Sequence, residues 1–274
     1  MKYNGKPKLS ACQNQAYNQS IHRNYEIILD VERTLKLTNP QYAEEINGIN
    51  KIRQTLQDKH ELSINDHVKA MVLSLLSCMR KWEPIEQNLD AIQEIFCGYD
   101  VDKLKNKNAQ ELVEEVKNIN CGNLRINRQM TKLKANIETL ERLNANFGSL
   151  DEFYTKTDKY ELVSLLSMWN SKYKLQEMGI ALVCEYLKGV GIPLVKPDRH
   201  VCRIIGRLGF TKRIPADEIE TLRICDKIAE SLKMSHAMVD TILWQYGVKE
   251  KCGICGDIPQ CSQCGVTSCS NRSL

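Results

Sequence analysis

"LQEMGIALVCEYLKGVGIPLVKPDRHVCRIIGRLG", residues 175–209, sets two apolar runs on either side of a loop marked by Gly and Pro. Leu175 to Gly179 ends on a glycine, and the apolar run "IALVCEYL" follows it. The glycines of "LKGVG" stop that run and open a loop. Asp198 follows Lys196-Pro197 and precedes the next helical run, so by local chemistry it is an N-cap whose side-chain oxygen accepts a backbone N–H. In that second helix Arg199, Arg203 and Arg207 recur at i, i+4 and i+8, while Val201, Ile204, Ile205 and Leu208 cover another face. The positive stripe has two readings, a solvated helix face or a row of phosphate contacts.

The 3.6-residue period continues outward in both directions. Ile27, Ile28, Val31 and Leu35 mark one helix and Ile46, Ile49, Ile52 and Leu56 a second, after a start over residues 1–20 that is rich in Asn, Gln and Lys and reads as disordered or loosely held. "HVKAMVLSLLSCM" (67–79) is apolar nearly all round and predicts a central helix. "PIEQNLDAIQEIF" (84–96) repeats Ile85, Leu89, Ile92 and Phe96 and predicts one helix with Pro in its first turn. "AQELVEEVKNI" follows an Asn108 cap, "LRINRQMTKLKANIETLERL" is a long amphipathic run ending before Gly148, and Ser149 to Glu152 has the form of a capping box. "KYELVSLLSMW", "PADEIETLRICDKIAESL" and the Ser235-capped "HAMVDTILWQYG" complete the series. No segment alternates long enough to make a convincing strand and no fixed-period repeat appears. The fold class is all-α, with roughly ten helices.

At 274 residues with a hydrophobic fraction of 42%, the chain can bury a core in one large domain or two small ones. It contains no apolar run of membrane-spanning length and its first residues lack an apolar h-region, so the expected location is cytoplasmic, or nuclear if the source is eukaryotic. A net charge of +4 is weak evidence for an anionic partner. Seven of the twelve cysteines are scattered through helical patterns, and five crowd into residues 252–269. In a reducing compartment that crowding reads as a metal site. Cys252, Cys255, Cys261 and Cys264 form two CxxC pairs suited to tetrahedral zinc; Cys255, Cys261, Cys264 and Cys269 form a second set of four.

The order of these motifs resembles the helix-hairpin-helix (HhH-GPD) DNA glycosylase superfamily, and in particular its endonuclease III-like branch, over roughly residues 62–269. "KPDRHVCRIIGRLG" looks like the segment that carries the family's catalytic aspartate, and "VLSLLSCM" like its Leu-Leu-Ser-Ala-Gln helix, with Ser77 retained and Met79 where Gln is usual. "LKGVG" imitates the family's DNA-gripping hairpin but lies too close to Asp198. Gly179 stands nineteen residues before Asp198, which matches the family's separation, so "LQEMG" takes the hairpin's place, with Glu177 where the family has a glycine. The cysteine tail is similar to the family's iron–sulfur loop, including the Pro before its second cysteine, with each outer gap one residue shorter.

The resemblance implies a six-helix barrel with the hairpin near 175–179 over residues 62–186, a helical subdomain with the catalytic Asp over 187–250 and a cysteine-rich loop over 251–274. Helices over 21–61 would pack on the second subdomain. It implies a glycosylase that flips a damaged or modified base out of duplex DNA and hydrolyses its N-glycosidic bond, with Asp198 stabilising the sugar cation and activating water. Bifunctional members carry a lysine where Ala181 stands, so the implied enzyme is monofunctional; Lys188 or Lys196 could act as a lyase amine only in an unusual geometry. Gly179, Lys174, Lys196, Arg199, His200, Arg203 and Arg207 become candidate DNA contacts, and Ser77, Met79, Arg80, Trp82 and Gln176 candidate lining of the base pocket. A 4Fe-4S cluster on Cys255, Cys261, Cys264 and Cys269 is implied, zinc on the Cys252 set being the alternative, in a loop that presents Lys249 and Lys251 to DNA. The partner is double-stranded DNA and the chain a monomer.

The base is not named by these residues. Oxidised, alkylated and mismatched bases are all served by the superfamily, and the atypical pocket helix also admits a hypermodified phage base, which would make this a defence protein. Two rival functions are a non-catalytic DNA-binding module, which has no need of Asp198, and a zinc-dependent interaction protein, which predicts no salt-sensitive DNA affinity.

Overall fold

The computed structural model describes residues 25–58 and 62–272; the expected disordered start over 1–20 lies outside them. The described residues contain fourteen α-helices, one 3-10 turn and no strand. They divide into two compact units. One takes the chain up to Asn47 and from Arg199 onward, the other Gly48–Asp198.

The Gly48–Asp198 unit is built on α3 (Ile64–Leu76) and α11 (Ile180–Gly189). Ser63 starts α3 with a reciprocal capping box: its hydroxyl accepts from Asp66 N at 3.2 Å, and the Asp66 carboxylate accepts from Ser63 N at 3.0 Å. Small residues let the two helices approach. A Cβ on Gly189 would sit 3.0 Å from that of Ala70, and the buried Ser74 hydroxyl donates to the Leu182 carbonyl at 2.6 Å. Around this pair run α4 (Glu83–Glu86), α5 (Leu89–Ile95), α6 (Val101–Asn106), α7 (Ala109–Asn118), α8 (Ile126–Phe147), α9 (Leu150–Lys156) and α10 (Lys159–Ser167). The core they enclose includes Met71, Leu75, Ile85, Ile92, Leu133, Leu140, Leu162 and Leu187, each 2% exposed or less. Burial at this density supplies the unit's main driving force.

A buried polar chain crosses the same core. Tyr154 and Tyr186 share a hydrogen bond of 2.8 Å, Tyr186 meets His67 Nδ1 at 2.9 Å, and His67 Nε2 meets Asp151 at 3.1 Å. Burial lowers the His67 pKa against the pull of Asp151, so the ring is held neutral, and every polar group of the chain has a partner.

The other unit contains α1 (Ile27–Thr38), the start of α2 (Tyr42–Asp58), α12 (Arg199–Arg207), α13 (Glu218–Leu232) and α14 (His236–Gly247). α14 packs on α1, α12 and α13. At its end Gly247 admits α12 closely, since a Cβ there would meet Ile204 at 2.9 Å and His200 at 3.3 Å. Asn39 donates to Gln245 at 3.1 Å, and Glu45 receives both Gln245 and Lys251, tying the N-terminal helices to the end of α14.

Most predicted caps are present, including Asn108, Ser149 and Ser235. Two expectations are corrected. "PIEQNLDAIQEIF" is not one helix but α4 and α5, parted where the chain turns through Gln87 and Asn88. The central helix stops at Leu76, so Ser77, Cys78 and Met79 lie beyond it, and Met79 takes a positive φ of 51°.

Candidate active site

The predicted site residues of the Gly48–Asp198 unit come from three places, the end of α3, the hairpin between α10 and α11, and the loop after α11. The loop and the helix end meet. Lys196 Nζ stands 3.2 Å from the Ser77 hydroxyl across 119 residues of sequence, and Ser77 in turn donates to the Ser74 carbonyl. Two residues on is Asp198, half-buried, its backbone N–H donating to the Lys196 carbonyl at 2.8 Å. The chain passes from it directly into α12. A carboxylate at a helix start is favoured by the unpaired N–H groups there, a placement that suits a cap and leaves room for a second role.

Lys188 and Lys196 converge on Glu185 at 3.1 and 3.8 Å. Burial alone would raise the Glu185 carboxyl; the two lysines instead hold it down at about 2. Both amines proposed as lyase substitutes are thus engaged with a carboxylate, and Ala181 in α11 offers none.

The hairpin is a rigid turn. Leu175 N donates to Leu166 O at 2.8 Å, and the Asn136 side chain bridges Gln176 N and O at 2.6 and 3.0 Å. Lys174 points inward, its Nζ donating to the carbonyls of Ser167 and Met178 at 2.7 and 3.0 Å, so it fastens the turn. Gly179 is the N-cap of α11, and a Cβ placed on it would meet nothing within 4 Å. Glu177 adopts a φ of 59°, the left-handed conformation that glycine takes most readily, at the position where the resembling family has glycine.

Of the candidate pocket residues, Met79 is 67% exposed and Gln176 is exposed, while Trp82 is half-buried at the start of α4. Arg80 is spent on backbone, donating to Gly122 O at 2.7 Å and Asn120 O at 2.6 Å.

In the other unit the arginine stripe turns toward its own protein. Arg207 donates to the carbonyls of Cys255, Gly256 and Asp257 at 3.2, 2.5 and 3.1 Å. Arg203 pairs with Asp257 and reaches His200 Nδ1 at 3.1 Å. Arg199 alone of the three is exposed. Arg203 and Arg207 therefore clamp the cysteine loop, a role the spacing of the arginines gave no hint of, since it depends on where residues 255–257 fold back. Lys251, expected to face DNA, is paired with Glu45 at 2.5 Å.

The cysteine loop has donors of the right kind for a metal, yet among the described residues no three Cys, His, Asp or Glu gather as ligands. Cys264 lies 2.7 Å from the Tyr246 hydroxyl, Cys269 donates to Arg207 O at 3.3 Å, and Cys252 is 3.3 Å from the Thr38 hydroxyl.

With this geometry, the chain is similar to the 8-oxoguanine DNA glycosylase of Methanocaldococcus jannaschii, with a TM-score of 0.53 over 82% of this chain and 95% of that one, at 18% identity. The two chains share a fold. The likeness extends to the all-helical architecture and does not single out the endonuclease III-like branch. No family model matches the sequence, and no curated protein does. No helix of the described residues is long and apolar enough to cross a membrane.

Two residues near the hairpin were missed in the sequence. Arg125 and Arg128, at the start of α8, reach Glu177 at 3.6 and 2.9 Å. "LRINRQ" advertises its charge, but nothing in it points to a glutamate so far along the chain.

Proposed function

We propose that this chain is a DNA glycosylase that extracts a damaged or modified base from duplex DNA and hydrolyses its N-glycosidic bond. The observation that carries the reading is the meeting of Lys196 with Ser77, which sets the Asp198 loop against the end of α3. That contact, two residues from the candidate carboxylate, supports a site shared by Asp198 and Ser77, on a fold shared with a glycosylase. In the proposed reaction the flipped nucleotide's C1′–N bond breaks as positive charge grows on the sugar. The Asp198 carboxylate stabilises that charge and takes a proton from the attacking water, and the base leaves with the bonding electrons.

The enzyme is proposed to be monofunctional, because Ala181 supplies no amine and Lys188 and Lys196 are committed to Glu185. Incubation with duplexes carrying a panel of oxidised, alkylated, deaminated and hypermodified bases is expected to yield abasic sites that break only after alkali. Cleavage without alkali overturns the monofunctional assignment, and no release from any duplex overturns the enzyme reading.

On its spacing, the cysteine tail is proposed to carry a 4Fe-4S cluster on Cys255, Cys261, Cys264 and Cys269, as a structural element. Purified protein is expected to contain iron and acid-labile sulfide and to absorb near ~400 nm. One zinc per chain without iron would select the Cys252 set instead.

A further inference from the structure

We infer that Arg125 and Arg128 form a DNA-phosphate contact beside the hairpin, and that Glu177 fills this contact, as an internal counter-anion, until the duplex arrives. The inference rests on the DNA reading above.

Glu177 is poorly explained as a stabilising residue. Its backbone holds a φ of 59°, which disfavours any side chain with a Cβ, and its Oε2 is buried with no hydrogen-bond partner. In return it makes one 2.9 Å ion pair with Arg128 and a looser 3.6 Å approach to Arg125. Those arginines are 72% and 52% exposed, and pairs so open to water are worth little. A residue that strains the turn and leaves a carboxylate oxygen unsatisfied is better accounted for by what its charge does to its neighbours.

The neighbours are arranged for an anion. Arg125 and Arg128 stand one turn apart at the start of α8, and the exposed Lys132 continues the same face one turn further. Beside them Gly179 opens the ten-residue helix α11 with no atom crowding its Cβ position. A backbone phosphate brought there meets two guanidinium groups whose existing partner is a single carboxylate. Exchange of that carboxylate for phosphate keeps the charges matched and turns the Glu177 side chain out to water. The exchange weakens binding, because the released carboxylate stays close to the incoming strand. Undamaged duplex is therefore held loosely.

The test is binding of an undamaged duplex by fluorescence anisotropy across a sodium chloride series. Glu177→Gln, which keeps shape and removes charge, is expected to bind about tenfold tighter than wild type at low salt, with a salt slope steeper by about one phosphate contact. Glu177→Gly, which also relieves the left-handed backbone, is expected to match it, so a folding failure in one variant leaves the other to decide. Arg125→Gln/Arg128→Gln is expected to bind more weakly than wild type, and adding Glu177→Gln to that pair to restore little. Equal affinity of wild type and both Glu177 variants overturns the inference alone, as does an undiminished gain in the arginine-free background. Absence of any salt-sensitive duplex binding by wild type overturns the DNA reading and this inference with it.

Discussion

Asp198→Asn is expected to slow base release by roughly a hundredfold to ten-thousandfold, the range a positioned general base supplies, while duplex affinity and thermal midpoint stay close to wild type. The substitution separates the helix cap from the catalytic role proposed for the same residue. Asparagine caps a helix start about as well as aspartate, so whatever Asp198 contributes at the entry to α12 is largely kept. On the proposed mechanism, what is lost is the charge that would face a developing sugar cation and the basicity that would accept a proton from water. A structural cap alone predicts no change in the rate of release. Single-turnover measurement on whichever duplex the panel identifies, with anisotropy and thermal melting of the same protein, distinguishes the outcomes. Unchanged release removes Asp198 from the chemistry, and a large drop in midpoint returns it to a purely structural part.

Much of this architecture was legible in the sequence because its signals are local. Caps such as Asn108, Ser149 and Ser235 are read from a few residues, and they stand where the periodicity put them. The break between α4 and α5 was not legible, because the apolar residues Ile85, Leu89, Ile92 and Phe96 keep a helical spacing across it; the turn at Gln87 and Asn88 still lets Ile85, Ile92 and Phe96 into the core. Met79 was read as part of the central helix for the same reason. The helix ends at Leu76, and Asn123 from a distant loop donates to the Leu75 carbonyl at 3.0 Å. Long-range partners of this kind are what periodicity cannot carry. They also decide the candidate site: Lys196 against Ser77, Glu177 against Arg125 and Arg128, and Lys174 drawn into its own turn each depend on residues far apart in the chain or on backbone carbonyls that every residue possesses. Charge was visible in advance; what the charge faces was not.

The arginine stripe shows the difference most clearly and can be tested by stability alone. Arg207 is a part-buried hub whose guanidinium donates to three successive carbonyls of the cysteine loop, at 3.2, 2.5 and 3.1 Å. Arg207→Met keeps the length and the apolar stem and removes every donor, leaving those carbonyls to find water. Hydrogen bonds from a charged donor are individually stronger than neutral ones, and the expected loss is about 3 kcal/mol, or a fall of roughly 6 °C in thermal midpoint for a chain of this size. Arg207→Lys is expected to recover only a minor part, because one ammonium cannot span three carbonyls as a planar guanidinium does. Arg199→Met is the control. Arg199 is exposed on the same helix, and its loss is expected to move stability by no more than about 0.5 kcal/mol. If the stripe were instead a uniform phosphate-binding face, the three variants would have similar midpoints and would differ from wild type only in the salt dependence of duplex binding. A midpoint for Arg207→Met within a degree or two of wild type would therefore reverse the assignment of Arg207 from clamp to DNA contact.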